Sequence, residues 1–286
     1  MRKILFPTDF SDAASNAFHY ALHLAKELHA ELYVLHTYMQ PVLTASHAGQ
    51  PEIVPEVYEN YELQQFENFK SHSLQLRTMA DQAGLGDVPV NFLFEEGTVV
   101  YNAEEIIQRE GINLVIMGTN RAQGFIDKIF GSNTLGVIRG VKIPVLSVPK
   151  EAKYSGIKEI VFTTLFREND ELALAEILNL TKPFAVHVKC VYVHKEYNAD
   201  SIGVAERWRK KFENHSLEFV FLDFKESIEN TVNLYMEEHR VDLLCVVKRN
   251  RNFLERIFTS SISNRLRIHT NTATLVLQEG EDPGTF

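Results

Sequence analysis

KILFPTDF, residues 3–10, and EIVFTTLF, residues 159–166, are the stretches whose likeness decides the fold. Each is a short apolar run that ends in turn-forming polar residues, the pattern of a buried strand leaving a sheet. Ile4, Phe6, Thr8 and Phe10 fall 156 positions before Ile160, Phe162, Thr164 and Phe166, without a gap. Behind the first run, Phe18, Ala21, Leu22, Ala25 and Leu28 recur at helical spacing, which predicts an amphipathic helix. The same offset carries Phe18, Ala21 and Leu22 onto Leu174, Ile177 and Leu178.

Working outward, ELYVLHTY predicts a second strand, a long helical region runs to about Gly84, and NFLFEE predicts a third strand. A helix, the strand NLVIMGT, a helix after Gly131 and the strand PVLSVP complete the first half. Strands alternating with helices require crossovers, so the order βαβαβαβαβ predicts an α/β fold with a mostly parallel sheet covered on both faces. The second half repeats it: Leu32, Val34 and Leu35 map onto Val188, Cys190 and Val191, and FIDKIF (125–130) returns as FLERIF (253–258), now offset by 128. Roughly 28 residues are therefore missing from the second half between its second and fourth strands. The charged, glycine-containing link EAKYSG sets the boundary, giving domains 1–150 and 151–286.

At 45% hydrophobic and 23% charged residues the composition is that of a chain with a packed core. The formal charge of −9 is shared by both halves, so a basic nucleic-acid footprint is not expected. No apolar run approaches a membrane span or a signal segment, which makes a cytoplasmic protein the expectation. Cys190 and Cys245 lie within apolar runs and read as buried free thiols rather than as a disulfide or metal pair.

In open parallel sheets, ligands bind beyond the carboxyl ends of the strands where strand order reverses. The residues that end strands one and four are therefore the informative ones. Pro7, Thr8 and Asp9 place a hydroxyl and a carboxylate at that edge, suited to a ribose or base, though such an Asp serves equally as a turn or cap residue. Strand four runs into Gly118, Thr119, Asn120 and Arg121, and Gly131, Ser132 and Asn133 open the next helix. A helix start offers unpaired N–H groups to an anion, and it is also where Ser or Asn acts as a plain N-cap.

Taken together, PTDFS after strand one, MGT after strand four, GSN on the last helix of the first half and PVLSVP as its final strand resemble universal stress proteins. With the repeat, the resemblance covers almost the whole chain. It implies two tandem open parallel-sheet domains, Rossmann-like and of the adenine nucleotide alpha hydrolase-like kind. It also implies ATP or AMP in the first domain, with Mg as the accompanying ion, and none in the second. The family signature of Gly, two residues, Gly, nine residues and Gly-Ser falls on Gly118, Arg121, Gly131 and Ser132, so Arg121 stands where the second glycine belongs. The resemblance carries Asp9, Thr37 and Met117 to nucleoside contacts and Gly118, Gly131, Ser132 and Asn133 to the phosphates, with Pro7 and Thr8 counted in the same nucleotide site. Arg121 either forks onto phosphate oxygens or folds across the pocket toward Asp9, and the retained helix start at Gly131 favours the first.

In the second half Asp9 is replaced by Leu165, Gly118 by Val247, and Gly131-Ser132 by Thr259-Ser260, while the loop Lys248–Asn252 holds three basic residues. That site reads as abandoned, and the loop suits either an anion or an acidic partner or, as the more frequent outcome, a solvated basic loop. His19 and His23, four apart on the first helix, have a spacing that suits two imidazoles on one metal, but no third ligand is evident and exposed histidines are the expected account. The stretch Met39–Pro55 is a candidate cover for a ligand or a surface insertion. Three readings of function follow: a nucleotide-binding stress or regulatory protein acting on an unknown protein partner, a slow ATPase or adenylyl-type enzyme using the same pocket, or a ligand-free scaffold. The two final strands, PVLSVP and ATLVLQ, are expected to pair within one chain as an internal pseudo-dimer, with a further homodimer left open.

Overall fold

The computed structural model describes residues 2–41, 54–119, 132–195, 199–249 and 271–278. Its chain forms two compact units, Met1–Gly118 and Thr119–Phe286. The first contains β1 (Arg2–Pro7), α1 (Asp12–Leu28), β2 (Ala30–Tyr38), α2 (Val54–Gln82), β3 (Val90–Glu96), α3 (Val99–Glu110) and all but the last residue of β4 (Leu114–Thr119). Within it the strands lie in the order β3-β2-β1-β4, all parallel. The order reverses between β1 and β4, because β2 and β3 build outward on one side and β4 returns on the other.

The second unit contains α4 (Ser132–Gly140), β5 (Val145–Pro149), β6 (Glu159–Thr163), α5 (Glu168–Leu180), β7 (His187–His194), α6 (Ala199–Lys211), β8 (Ser216–Asp223), α7 (Ile228–Glu238), β9 (Leu243–Lys248) and β10 (Ala273–Gln278). Its strand order is β5-β10-β9-β6-β7-β8. The run β8-β7-β6-β9 repeats β3-β2-β1-β4 strand for strand, as the sequence offset requires. Ile4 lies opposite Leu114 in the first unit and Ile160 opposite Leu243 in the second, so both sheets share one register. β5 and β10 pair antiparallel, with Leu146 opposite Leu275 and Val145 opposite Val276, which is the pairing the two final apolar runs lead one to expect. The shortening of the second half falls largely on one helix, since α2 has 29 residues and α6 has 13.

β1 and β6 read as continuous apolar runs because they are covered on both faces: Ile4, Leu5, Phe6, Ile160, Val161 and Phe162 are all essentially inaccessible. Phe6 meets Phe18 of α1 at a ring separation of 5.6 Å, and burying one such side chain contributes about 1.5–3 kcal/mol. α1 is fixed at both ends. The Ser11 hydroxyl accepts the Ala14 N–H, and His29 closes the helix in the left-handed conformation, φ 50°.

Candidate functional site

The carboxyl edge of the first unit's sheet is shaped by a turn whose polar side chains satisfy the backbone. Thr8 N–H still donates to the Leu35 carbonyl at 2.8 Å, in line with the sheet. Beyond it, the Thr8 hydroxyl oxygen accepts the Phe10 N–H at 3.0 Å, and Asp9 Oδ1 accepts the Ser11 N–H at 3.0 Å. Phe10 between them takes φ 59°, a region sparsely occupied by residues other than glycine. Pro7 and Thr8 are buried and Asp9 is exposed. One Asp9 oxygen is therefore held in the turn while the residue faces solvent.

Met117 and Gly118 lie near the carboxyl end of β4, Met117 being buried. A Cβ on Gly118 would lie 2.7 Å from the Ala13 carbonyl oxygen and 3.0 Å from the Ala14 Cα. The glycine thus lets β4 approach the first turn of α1. Thr37, half-buried, sits at the end of β2. The first unit therefore brings Pro7, Thr8, Asp9, Met117 and Gly118 to the β1/β4 reversal, with Thr37 on the neighbouring strand. Ser132 and Asn133 open α4 in the second unit, both exposed. Arg121 and Gly131 lie outside the described residues, as do the Thr259-Ser260 pair, Arg251 and most of the Met39–Pro55 stretch.

Sequence reasoning missed what braces the turn. His36 Nδ1 lies 2.9 Å from the Thr8 carbonyl oxygen, and the Phe10 ring stacks on His72 of α2 at 4.6 Å and meets His36 at 4.7 Å. The left-handed Phe10 is held by this packing. The available signal was the placement of Phe69 and His72 at i, i+3 on α2, which puts both on one face beside Phe10 and His36.

The second unit builds the same turn and fills the space behind it. Thr164 N–H donates to Val191 at 2.9 Å, the Phe166 N–H donates to the Thr164 hydroxyl oxygen at 2.8 Å, and Phe166 has φ 56°. Leu165 replaces Asp9. Asp170, 156 positions after Ala14, is fully buried. Its Oδ2 accepts from the Thr164 hydroxyl at 3.0 Å, from Leu165 N–H at 2.7 Å and from Arg167 N–H at 3.3 Å. A guanidinium nitrogen of Arg249 bridges both carboxylate oxygens at 2.5 and 2.6 Å. Arg249 is only 7% exposed. The expected solvated basic loop is corrected on this point: the Arg249 charge is spent inside the unit. Lys248 is also engaged, donating to the Arg139 carbonyl at 3.1 Å and to Gln278 Oε1 at 2.9 Å, and burial lowers its pKa. Val247, in the place of Gly118, is buried.

Cys190 and Cys245 are free, buried thiols. No cluster of three or more His, Cys, Asp or Glu side chains able to hold a metal occurs among the described residues. Nor is any described helix long and apolar enough to cross a membrane.

Comparison with known proteins places this geometry. A family model described as the universal stress protein family matches residues 1–149. Curated universal stress proteins of Methanocaldococcus jannaschii and Bacillus subtilis are each 28% identical to the chain, over 153 and 148 residues. The alignments cover 53% and 51% of this chain, and 84% and 97% of those proteins. Among solved structures, a universal stress protein from Archaeoglobus fulgidus has the same fold over 98% of this chain and 97% of its own, with a TM-score of 0.67 at 16% identity.

Proposed function

The chain belongs to the universal stress protein family, and from that premise we propose that its first domain, residues 1–150, binds ATP or AMP as a regulatory ligand. The second domain, 151–286, carries none and acts structurally. The observation that carries this reading is the contrast at the two strand-order reversals. The first presents an exposed carboxylate at Asp9 beside a side-chain-free Gly118, whereas the second is occupied by Val247 and the buried Asp170–Arg249 pair.

The donor set of the first domain suits a nucleoside. The solvent-facing Asp9 carboxylate is an acceptor for ribose hydroxyls, and Thr37 and Met117 offer a hydroxyl and a polarizable apolar surface to the base. Bound nucleotide would supply those hydroxyls and an anionic phosphate chain, with or without Mg. The phosphate roles of Gly118, Arg121, Gly131, Ser132 and Asn133 rest on the spacing of the signature. Regulation is favoured over turnover because the candidate base among the described residues, Asp9, already spends one oxygen on the Ser11 N–H. A cytoplasmic stress response through a protein partner completes the proposal.

Native mass spectrometry and calorimetry on the purified protein test it. The expected result is one nucleotide per chain, weakened about tenfold or more by Asp9→Ala and unchanged by Leu165→Ala, its counterpart in the repeat. Two equivalents would overturn the asymmetry. Absence of any binding would leave the scaffold reading, and a turned-over product would establish the enzyme.

A further inference from the structure

His187 and Ser216 are the first residues of β7 and β8, at the opposite end of these strands from the turn at Thr164. They are register partners, and Glu218 follows two residues along β8, on the same face. His187 Nδ1 lies 2.7 Å from the Ser216 hydroxyl oxygen, and its Nε2 lies 3.3 Å from Glu218 Oε2. A carboxylate can only accept, so Nε2 carries the proton, and in the neutral ring Nδ1 accepts from the Ser216 hydroxyl. β8 ends the strand order of its unit, Ser216 is exposed and the His187 side chain is 32% exposed. A small molecule can therefore reach both. Leu32 pairs with Val90 in the first unit as Val188 pairs with Leu217 in the second, so the matching positions there hold Glu31, Pro89 and Asn91. These lack both imidazole and hydroxyl, and the arrangement is not inherited from the repeat.

We propose that Ser216 is an activated nucleophile that takes acyl groups from activated carboxylic esters, with His187 as its general base and Glu218 as the positioning residue that orients the imidazole. A nucleophile hydrogen-bonded to a base that a third group holds is the constellation such chemistry needs. The Ser216 oxygen bonds to the acyl carbon as its proton passes to His187 Nδ1. The ester C–O bond then breaks, and the leaving oxygen takes that proton. Water, deprotonated by the same nitrogen, displaces Ser216 and releases the carboxylic acid. The face also holds Glu159 of β6, opposite His187, and Lys189 of β7, whose Nζ is 3.1 Å from Glu159 Oε2. Tyr235 of α7 interacts electrostatically with Lys189, Glu218 and Glu159. The Lys189 cation favours the negative charge that develops on the acyl oxygen.

The competing account is a surface hydrogen bond and ion pair that only tie two strand ends together. Full-length protein treated with p-nitrophenyl acetate, quenched in acid and mapped by peptide mass spectrometry separates the two. The expected result is an acetyl group on Ser216, formed with a burst of p-nitrophenolate and absent from Ser216→Ala. His187→Gln should slow that acylation about a hundredfold, whereas His215→Gln, at the exposed histidine next to Ser216, should leave it unchanged. Glu218→Ala should slow it about tenfold, and Glu218→Gln, which can accept the same hydrogen bond, should restore most of the rate. The wild-type rate should rise with pH to a plateau as His187 loses its proton, and the plateau should vanish in His187→Gln. Equal urea midpoints verify that the variants fold. No acetyl group on Ser216, or acylation as fast in His187→Gln or Glu218→Ala as in the wild type, overturns the proposal.

Discussion

Gly118 and Asp170 show how single residues set the two halves apart. Gly118 is explained by contact: its missing Cβ leaves room for the Ala13 carbonyl, which would otherwise lie at 2.7 Å. Gly118→Ala should therefore destabilise the protein by about 1–3 kcal/mol through overpacking against backbone that cannot give, measured by urea unfolding, quite apart from any loss of nucleotide. A neutral outcome would mean that β4 and α1 separate easily. Asp170 is buried with four donors converging on it. Removing it alone strands the Arg249 charge, so Asp170→Ala should cost about 3–5 kcal/mol. The Asp170→Ala, Arg249→Met pair should recover much of that, because an apolar side chain needs no partner. Strictly additive losses in this double-mutant cycle would argue against a coupled ion pair. The double variant should not acquire nucleotide, because Leu165 and Val247 still fill the places of Asp9 and Gly118.

At the scale of elements, the strand-to-helix turn is the unit that repeats. Thr8 and Thr164 make the same hydrogen bond, and Phe10 and Phe166 take the same left-handed conformation. The helix starts that follow are capped differently. Ser11 caps α1 with its own hydroxyl, whereas the third residue of α5, Asp170, reaches back to the Arg167 N–H. One carboxylate thus caps a helix and anchors Arg249, which is how α5 begins at the matching position without a serine. β10 has partners on both sides, parallel to β9 and antiparallel to β5, and Val276 is fully buried in it. Val276→Pro removes a ladder donor from an interior strand and should cost about 3 kcal/mol or more. Circular dichroism under urea tests it, and an unchanged midpoint would mean that the β5–β10 pairing contributes nothing to stability.

On the scale of the whole molecule, one architecture is used twice with two different contents. The second unit pairs the Asp170 and Arg249 charges in its interior, and its thiols report on how cooperatively it holds together. Cys190 and Cys245 lie opposite the same residue, Phe162, on the strands flanking β6. Burial pushes the Cys190 thiol up to about 12 and the Cys245 thiol higher still, so neither is a reactive thiolate in the folded state. Both should react with a thiol reagent only as fast as the unit opens, and at a common rate. Rapid labelling of one cysteine in native protein would show that β7 or β9 opens independently.

The sequence by itself determined the α/β class, the tandem repeat and the pairing of the final strands. All of these follow from apolar periodicity and a fixed offset of 156 residues from Ile4 to Ile160, which is local information copied twice along the chain. It also marked Asp9 and Gly118 as candidate site residues and Leu165 and Val247 as the residues in their places in the repeat, because strand-end positions can be counted. Only the tertiary structure decided that Gly118 is demanded by a helix 105 positions upstream at Ala13. It likewise decided that Phe10 is braced by His36 and His72, and that Arg249 turns inward to a carboxylate 79 positions before it. A basic residue after a strand reads as solvated until its partner is known. That partner is fixed by the packing of α5 against β9, and no periodicity along the chain encodes which buried charge will meet it.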